Sequence, residues 1–210
     1  MSILSDSVVI VDYRMGNLRS VQKAFEVNHC NAVISNEHNI IKEADKIVLP
    51  GVGSFKDGMK NLHDLGLVEV LTQAIVQHKK PFLGICLGMH LVADKGYENG
   101  QTLGLSWLDA EVVRLKPTTE SLNIPHVGWN TVTYKNPSEL YQDIENNHDF
   151  YFVHSYHFKT TEDVVSSTTN YGIDFVSSIK KDNIYAFQFH PEKSQTSGLK
   201  IIENFINVKA

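Results

Sequence analysis

Continuous apolar runs alternate with helical periodicity along the first half of the chain. Residues 8–11, 32–34 and 46–49 form runs typical of strands buried on both faces, and Pro50 is predicted to end the third. After the first run, Asn17 is a suitable N-cap for apolar residues that recur at helical spacing. This strand–helix–strand rhythm predicts an α/β fold, in which a mostly parallel central sheet is flanked by helices.

The pattern changes in the second half, where short apolar segments are joined by polar turns. Before the change, helices are predicted at residues 67–75 and 87–93 and a loop at residues 95–100. After it, strands are predicted at residues 107–115, 129–134, 150–158, 164–169, 175–180 and 184–189, and a closing helix at residues 197–208. Short connections predict an added antiparallel strand region. No linker or repeat divides residues 1–210, which predicts a single domain.

The stretch from Pro81 to His90 combines a short apolar strand, a sharp turn and a helix. Gly84 and Gly88 lie two residues on either side of Cys86. This G-x-C-x-G spacing matches the nucleophile elbow, a strained turn that lifts a nucleophile above the sheet. A lone cysteine is usually a small buried hydrophobe, but two glycines at these offsets favour a nucleophile.

A candidate base follows the last predicted strand, where His190 and Glu192 are separated by Pro191. Residues two apart on an extended chain point to the same face, and the proline keeps this segment from continuing as a helix. A carboxylate beside an imidazole fixes its tautomer and stabilises the imidazolium. The set Cys86, His190 and Glu192 is therefore predicted to act as nucleophile, base and orienting group.

A glycine-rich loop at residues 50–55 follows the third predicted strand. Loops at the carboxyl ends of parallel strands bind ligands, and backbone N–H groups of such a loop can face an anion. A simple turn remains an alternative on this stretch alone. The segment lacks the G-K-[ST] ending of a phosphate-binding P-loop.

Composition narrows the classes of function. A net charge of −5 argues against a nucleic-acid surface, and no apolar run is long enough for a membrane span. Residues 1–6 have no basic region or long apolar segment, so no signal peptide is expected there. We expect Cys30 and Cys86 to be reduced, which fits the cytoplasm. The histidines are scattered without zinc spacing, so no metal or other cofactor is predicted.

These motifs together resemble the class I, or triad, glutamine amidotransferases. More narrowly, the chain is similar to the family of glutaminase subunits of imidazole glycerol phosphate synthase, from histidine biosynthesis. The matching segments cover nearly the whole chain and lie at residues 11–13, 15–21, 49–55, 81–90, 125–130, 151–156 and 188–194. The last three are typical of this subunit family rather than of amidotransferases at large. The resemblance implies one amidotransferase domain with a flavodoxin-like fold.

The resemblance also implies a role for each matching residue. Cys86 would attack the side-chain amide of L-glutamine and form a thioester, with His190 and Glu192 completing the triad. The implied oxyanion hole uses the backbone at Gly51, Val52, Gly53 and Leu87. The implied substrate-binding residues are His90, Glu98, His154, Ser155 and Tyr156. The implied partner interface includes Asn17, Trp129 and Lys193.

The implied partner is a (β/α)₈ barrel synthase subunit, which would form a heterodimer with this chain. Ammonia would pass into the barrel, which makes imidazole glycerol phosphate and an aminoimidazole carboxamide ribotide. His90 departs from the family pattern, which usually has Gln at that position, and Arg14 replaces a usual Gly.

Three other functions are compatible with the same residues. A paralogous subunit would feed ammonia to another barrel, for example in making amidino sugars for surface polysaccharides. A stand-alone thiol hydrolase, such as a γ-glutamyl peptidase, would work without a partner. A catalytically silent binding subunit is disfavoured because the Cys–His–Glu set is intact.

Overall fold

A computed structural model describes residues 7–118 and 122–209. Residues 1–6, where no signal peptide is expected, lie outside the described residues. The strands are β1 (Val8–Val11), β2 (Val33–Ser35), β3 (Lys46–Gly51), β4 (Phe82–Cys86), β5 (Ala93–Gly96), β6 (Thr102–Leu103), β7 (Leu108–Arg114), β8 (His126–Tyr134), β9 (His148–His154), β10 (Tyr156–Thr160), β11 (Val165–Asn170), β12 (Asp174–Lys181) and β13 (Ile184–Phe187). The α-helices are α1 (Leu18–Val27), α2 (His38–Glu43), α3 (Phe55–Asp64), α4 (Leu67–Thr72), α5 (Leu87–Leu91) and α6 (Gln195–Ile206).

A nine-stranded sheet forms the centre, in the order β2-β1-β3-β4-β13-β12-β11-β8-β9. The pairs from β2 to β13 are parallel, and the pairs from β13 to β9 are antiparallel. A smaller sheet has the order β10-β7-β5-β6. The predicted α/β class, with a parallel sheet and an added antiparallel region, is confirmed.

Two apolar layers cover the two faces of the parallel strands. As a result, β1, β3, β4 and β13 are buried along their whole length. One layer holds α1 and α6, where Phe25 and Phe205 meet edge to face with ring centroids 6.4 Å apart. The other holds α3, α4 and α5. Each fully buried large apolar side chain contributes roughly 1.5–3 kcal/mol, so these layers fix the sheet and the ends of its strands.

The sequence predicts that the third strand ends at Pro50, but in the structure β3 continues to Gly51. Pro50 and Gly51 pair with Ile85 and Cys86 of β4, whereas β1 pairs with β3 only as far as Val48. At Pro50 the β1 side of the strand is therefore free of ladder bonds, which is where a residue without an N–H is tolerated.

The predicted strand at residues 150–158 is two strands, β9 and β10, which belong to different sheets and break at Ser155. The predicted loop at residues 95–100 begins inside β5. The helix predicted at residues 67–75 continues from α4 into a π-helical turn at Gln73–Gln77. The elbow helix α5 ends at Leu91 rather than at residue 93. All four differences concern bounds that depend on tertiary pairing rather than on local pattern.

Candidate active site

Cys86 is the last residue of β4 and immediately precedes α5, at the carboxyl edge of the parallel strands. Its φ of 51° and ψ of −103° place a non-glycine residue in a strained backbone region. A Cβ on Gly88 would lie 1.7 Å from the carbonyl oxygen of Leu49, and one on Gly84 would lie 2.9 Å from the carbonyl oxygen of Gly88. The two glycines therefore allow β3, β4 and α5 to approach closely enough to form the turn.

His190 and Glu192 lie beside this turn, just after β13. The imidazole Nδ1 is 2.8 Å from Oε1 of Glu192, and both side chains are almost completely buried. Burial lowers the pKa of His190, but the charge and hydrogen bonding of Cys86, followed by those of Glu192, raise it to about 10 overall. A proton on this imidazole is therefore stabilised by the sulfur of Cys86 on one side and by the carboxylate of Glu192 on the other.

The thiol is hydrogen-bonded to the backbone rather than to the imidazole. Cys86 Sγ donates to the carbonyl oxygen of Val153 at 3.8 Å. Nε2 of His190 is buried and makes no well-aligned hydrogen bond to the described residues. Proton transfer from sulfur to imidazole therefore requires a rotation of the thiol away from Val153.

A cavity of about 230 Å³ opens beside the sulfur and is lined by Val52, Gly53, Cys86, Leu87, His90, Glu98, Pro125, Val153, His154, Ser155 and Tyr156. Its size suits a small metabolite, since pockets for drug-sized ligands run from about 300 to 1,000 Å³. The lining includes every predicted substrate-binding residue and, of the predicted oxyanion-hole residues, all except Gly51.

Gly51 lies behind the cavity wall, packed against Tyr13, whose hydroxyl would be 1.9 Å from a Cβ at that position. The Tyr13 hydroxyl is buried and has no hydrogen-bond partner among the described residues. Burial, with a smaller contribution from the charge of Cys86, raises the pKa of Tyr13. Gly53 has a φ of +121°, which only glycine adopts easily, and it turns β3 into the N-cap of α3 at Ser54.

Glu98 reaches the cavity from the loop between β5 and β6. Its Oε2 accepts the backbone N–H of Phe55, the first residue of α3, at 2.9 Å. This bond to the first turn of α3 fixes the position of the Glu98 side chain at the cavity. The remaining lone pairs of the carboxylate can accept hydrogen bonds from an ammonium group in the cavity.

A chain of hydrogen bonds between neutral imidazoles supports the opposite wall. Nδ1 of His154 is 2.9 Å from the carbonyl oxygen of Tyr156, so Nδ1 carries the proton and Nε2 is the acceptor. That Nε2 is 2.9 Å from Nδ1 of His126. Burial lowers the pKa of His154 well below its usual value and lowers the pKa of His126 to about 4. The wall that carries Ser155 is thus fixed by uncharged groups.

Two residues that contact members of the cavity wall, Gln188 and His126, have no role predicted from the sequence. The Gln188 amide lies 2.7 Å from Nε2 of His90 and 3.8 Å from Cys86 Sγ. Gln188 stands between Phe187 and Phe189 in an apolar strand, and a polar residue there signals a buried hydrogen bond. His126 offers no comparable signal, because its partner His154 is distant in the sequence.

None of the predicted interface residues, Asn17, Trp129 and Lys193, lines the cavity. Trp129 is 46% exposed and meets the Tyr151 ring edge to face, and Lys193 Nζ lies 5.8 Å from the centroid of that ring. Asn17 caps α1 by accepting the N–H of Ser20 at 3.4 Å. Gly16, beside it, packs on Gly51, so the loop before α1 touches the glycine-rich strand end.

Within residues 7–118 and 122–209, no group of three His, Cys, Asp or Glu side chains could hold a metal ion. None of the helices in the same ranges is long and apolar enough to cross a membrane. Both cysteines are buried and neither forms a disulfide.

Comparison with known proteins agrees with this geometry. The model of the family "Glutamine amidotransferase class-I" matches residues 9–208. The chain is 49% identical over 202 residues to imidazole glycerol phosphate synthase subunit HisH 1 of Campylobacter jejuni, covering 96% of this chain and 100% of that protein. It is 51% identical over 199 residues to the HisH subunit of Aquifex aeolicus, covering 94% of each chain.

Solved structures share the fold at low sequence identity. A glutamine amidotransferase superposes with a TM-score of 0.72 at 16% identity, covering 95% of this chain and 97% of that chain. A putative GMP synthase protein from Thermoplasma acidophilum superposes with a TM-score of 0.71 at 20% identity, covering 96% of this chain and 92% of that chain. With the family model matched at residues 9–208, this chain belongs to the class I glutamine amidotransferases, as its motifs predicted.

Proposed function

We propose that this chain is the glutaminase subunit of an imidazole glycerol phosphate synthase and supplies ammonia for histidine biosynthesis. The observation that carries the proposal is the strained Cys86 at a cavity of about 230 Å³, beside the buried His190–Glu192 pair. The relatives of nearly equal length that carry the HisH name support the choice of synthase.

The chemistry follows from the positions of these three groups. Cys86 transfers its proton to His190, and its sulfur attacks the side-chain amide carbon of L-glutamine. The negative oxygen of the tetrahedral intermediate accepts from the N–H of Leu87 and from an N–H of the strand end Gly51–Gly53, and donors of this kind lower a barrier by roughly 3–4 kcal/mol each. His190 then protonates the departing nitrogen, the C–N bond breaks to release ammonia, and a glutamyl thioester remains on Cys86.

Hydrolysis of the thioester completes the cycle. His190 takes a proton from water, and the hydroxide adds to the thioester carbon. The C–S bond then breaks, which releases glutamate and leaves a thiolate on Cys86 that can take back the proton from His190. Glu192 keeps the imidazole in one tautomer through both halves of the reaction. Glu98 pairs with the α-ammonium group of glutamine, while His90, His154, Ser155 and Tyr156 contact the rest of it.

We further propose that the partner is a (β/α)₈ barrel subunit, which docks on the rim formed by Trp129, Lys193 and the loop at Asn17. Exposed aromatic side chains beside a cation are typical of interface centres. The hydrogen bond of the thiol to Val153 fits an enzyme that is slow until the partner binds, since Val153 pairs with the exposed residue Val127 of β8. Ammonia would pass to the barrel without entering bulk water, in the cytoplasm.

The decisive experiment measures glutamate release with and without a barrel synthase subunit that carries its phosphoribosyl ligand. Glutamate release is expected to rise at least tenfold in the complex, and Cys86→Ala is expected to abolish it while leaving partner binding intact. Cys30→Ala is the matched control, because Cys30 lies in the apolar layer away from the cavity. Glutamate release by Cys86→Ala would disprove the assignment. Full activity of the isolated chain would instead favour a stand-alone thiol hydrolase.

A further inference from the structure

Gln188 contacts both the candidate nucleophile and a second cavity residue. It is completely buried directly after β13, between Phe187 and Phe189. Its Oε1 lies 2.7 Å from Nε2 of His90, and its amide nitrogen lies 3.8 Å from Cys86 Sγ. A buried amide that spans two such groups is oriented by both of them.

Chemistry fixes which end of the amide faces the sulfur. When the sulfur is a thiolate, as attack requires, it accepts hydrogen bonds but cannot donate, so the amide nitrogen must face it and the carbonyl oxygen must face His90. Burial lowers the pKa of His90 to about 4, so its ring is neutral and carries a single proton. That proton lies on Nε2, because Oε1 of Gln188 can only accept.

We propose that Gln188 is a positioning residue that holds an N–H donor against the sulfur of Cys86, and that His90 acts through Gln188 by fixing the direction of its amide. The inference rests on the proposed function and deepens it, since it gives His90 a role in supporting the nucleophile in addition to its place in the substrate cavity. The bond is strongest while the sulfur is charged, which is before attack and again as the thioester breaks.

The ionisable groups that surround this sulfur are His190 with Glu192 behind it, Tyr13, His90, and His154 and Glu98 across the cavity. His190 supplies the countercharge, and the Gln188 amide adds a neutral donor that does not titrate. A change at Gln188 therefore alters the stabilisation of the thiolate without removing the base. A shift in the pH dependence of thiol reactivity therefore distinguishes a positioning role of Gln188 from a role in core packing alone.

The test measures the rate at which iodoacetamide alkylates Cys86 as a function of pH, in the isolated chain carrying Cys30→Ala. Gln188→Met keeps the volume and removes the donor. We expect it to move the midpoint of the pH profile upward by about one unit, equivalent to a tenfold loss of reactive thiolate at pH values well below both midpoints. An unchanged midpoint in a variant with the parent circular dichroism and melting temperature would overturn the proposal.

His90 tests the same contact from its other end, and it does so even if Gln188→Met fails to fold. His90→Leu removes the donor to Oε1 and is expected to shift the midpoint in the same direction. His90→Gln restores an N–H at that end and is expected to return the midpoint towards the parent value. If His90→Leu raises only the KM for glutamine and leaves the alkylation profile unchanged, His90 acts on the substrate and the relay is wrong.

Alkylation needs no glutamine, so the proposed function and the positioning of the sulfur are tested separately. If the chain has no glutaminase activity but the variants still shift the alkylation midpoint, the proposed function is wrong and the positioning role of Gln188 stands. If the enzyme has full glutaminase activity but Gln188→Met leaves the alkylation midpoint unchanged, the proposed function stands and the positioning role of Gln188 is wrong.

Discussion

The turn that carries Cys86 is held in place by contacts that leave no room for a single extra atom. A Cβ at Gly88 would approach the carbonyl oxygen of Leu49 to 1.7 Å. Because that oxygen belongs to the backbone, no change of side-chain rotamer relieves the clash. The site therefore depends on a small set of glycines as much as on its reactive groups.

We expect Gly88→Ala to lower the free energy of unfolding by about 3 kcal/mol or more, because β3 and α5 must separate to admit the methyl group. Gly58→Ala is the matched control, since its Cβ meets only the side-chain ends of Leu91 and Leu87 at 3.2–3.3 Å and gains helix propensity in α3. Urea denaturation of the two variants checks this. Equal loss in both would contradict the role given to the Leu49 contact.

At the scale of single residues, local spacing carries part of the geometry around Cys86 and His190 but none of the long-range contacts. The spacings around Cys86 and His190 carry local geometry, so the strained turn and the His190–Glu192 bond were predictable. The bond between Gln188 and His90 joins residues far apart in the chain, and only the pairing of β4 with β13 brings them together. The same holds for His126 and His154.

At the scale of elements, the cavity is made where strands end or break. The segment predicted as one strand at residues 150–158 divides at Ser155, and this break turns His154, Ser155 and Tyr156 into the cavity wall. The apolar pattern hides the break, because Phe150, Phe152 and Phe158 are all buried although they lie in different sheets. Local pattern specifies that a residue is buried, but not which layer buries it.

The start of α3 makes a prediction at this scale, because it holds the end of the glycine-rich strand. Ser54 Oγ accepts the N–H of Asp57 at 3.1 Å and bonds its carboxylate at 2.7 Å. Ser54→Ala should lower the free energy of unfolding by about 1 kcal/mol through loss of this cap. Ser54→Thr keeps the hydroxyl and should lose less than half of that in the same urea titration. Equal stability of the alanine variant and the parent would show that the cap contributes nothing.

At the scale of the whole molecule, the sequence predicted the two kinds of sheet but not their continuity. Parallel and antiparallel halves are joined through β13 and β12 into nine strands, so residues from both halves meet at one cavity. The order of strands follows from packing on both faces, which no single segment encodes. Neutral histidines are concentrated at that junction, and their burial makes the stability of the entire fold depend on pH.

Stability is expected to fall as the pH drops from 7 to 5. Burial is the largest cause that lowers the pKa of His90, to about 4 from 6.5, and it also lowers those of His126 and His154. Between pH 6.5 and 4 the unfolded chain therefore binds more protons than the folded one, which favours unfolding. His190 acts in the other direction, since its raised pKa of about 10 gives stability that is lost only above pH 6.5.

The contribution of one histidine can be isolated in this window, because the carboxyl groups whose pKa is lowered, those of Asp45, Asp64, Glu139 and Glu162, titrate mainly below pH 5. His90→Gln removes a completely buried imidazole and keeps a donor for Gln188. Urea titrations at pH 7 and 5 should therefore show about 2 kcal/mol less acid destabilisation in His90→Gln than in the parent. His63→Gln, at an exposed position of α3, is the control and should follow the parent. If His90→Gln and the parent lost the same stability, a neutral buried His90 would be ruled out, and with it the tautomer that directs the Gln188 amide.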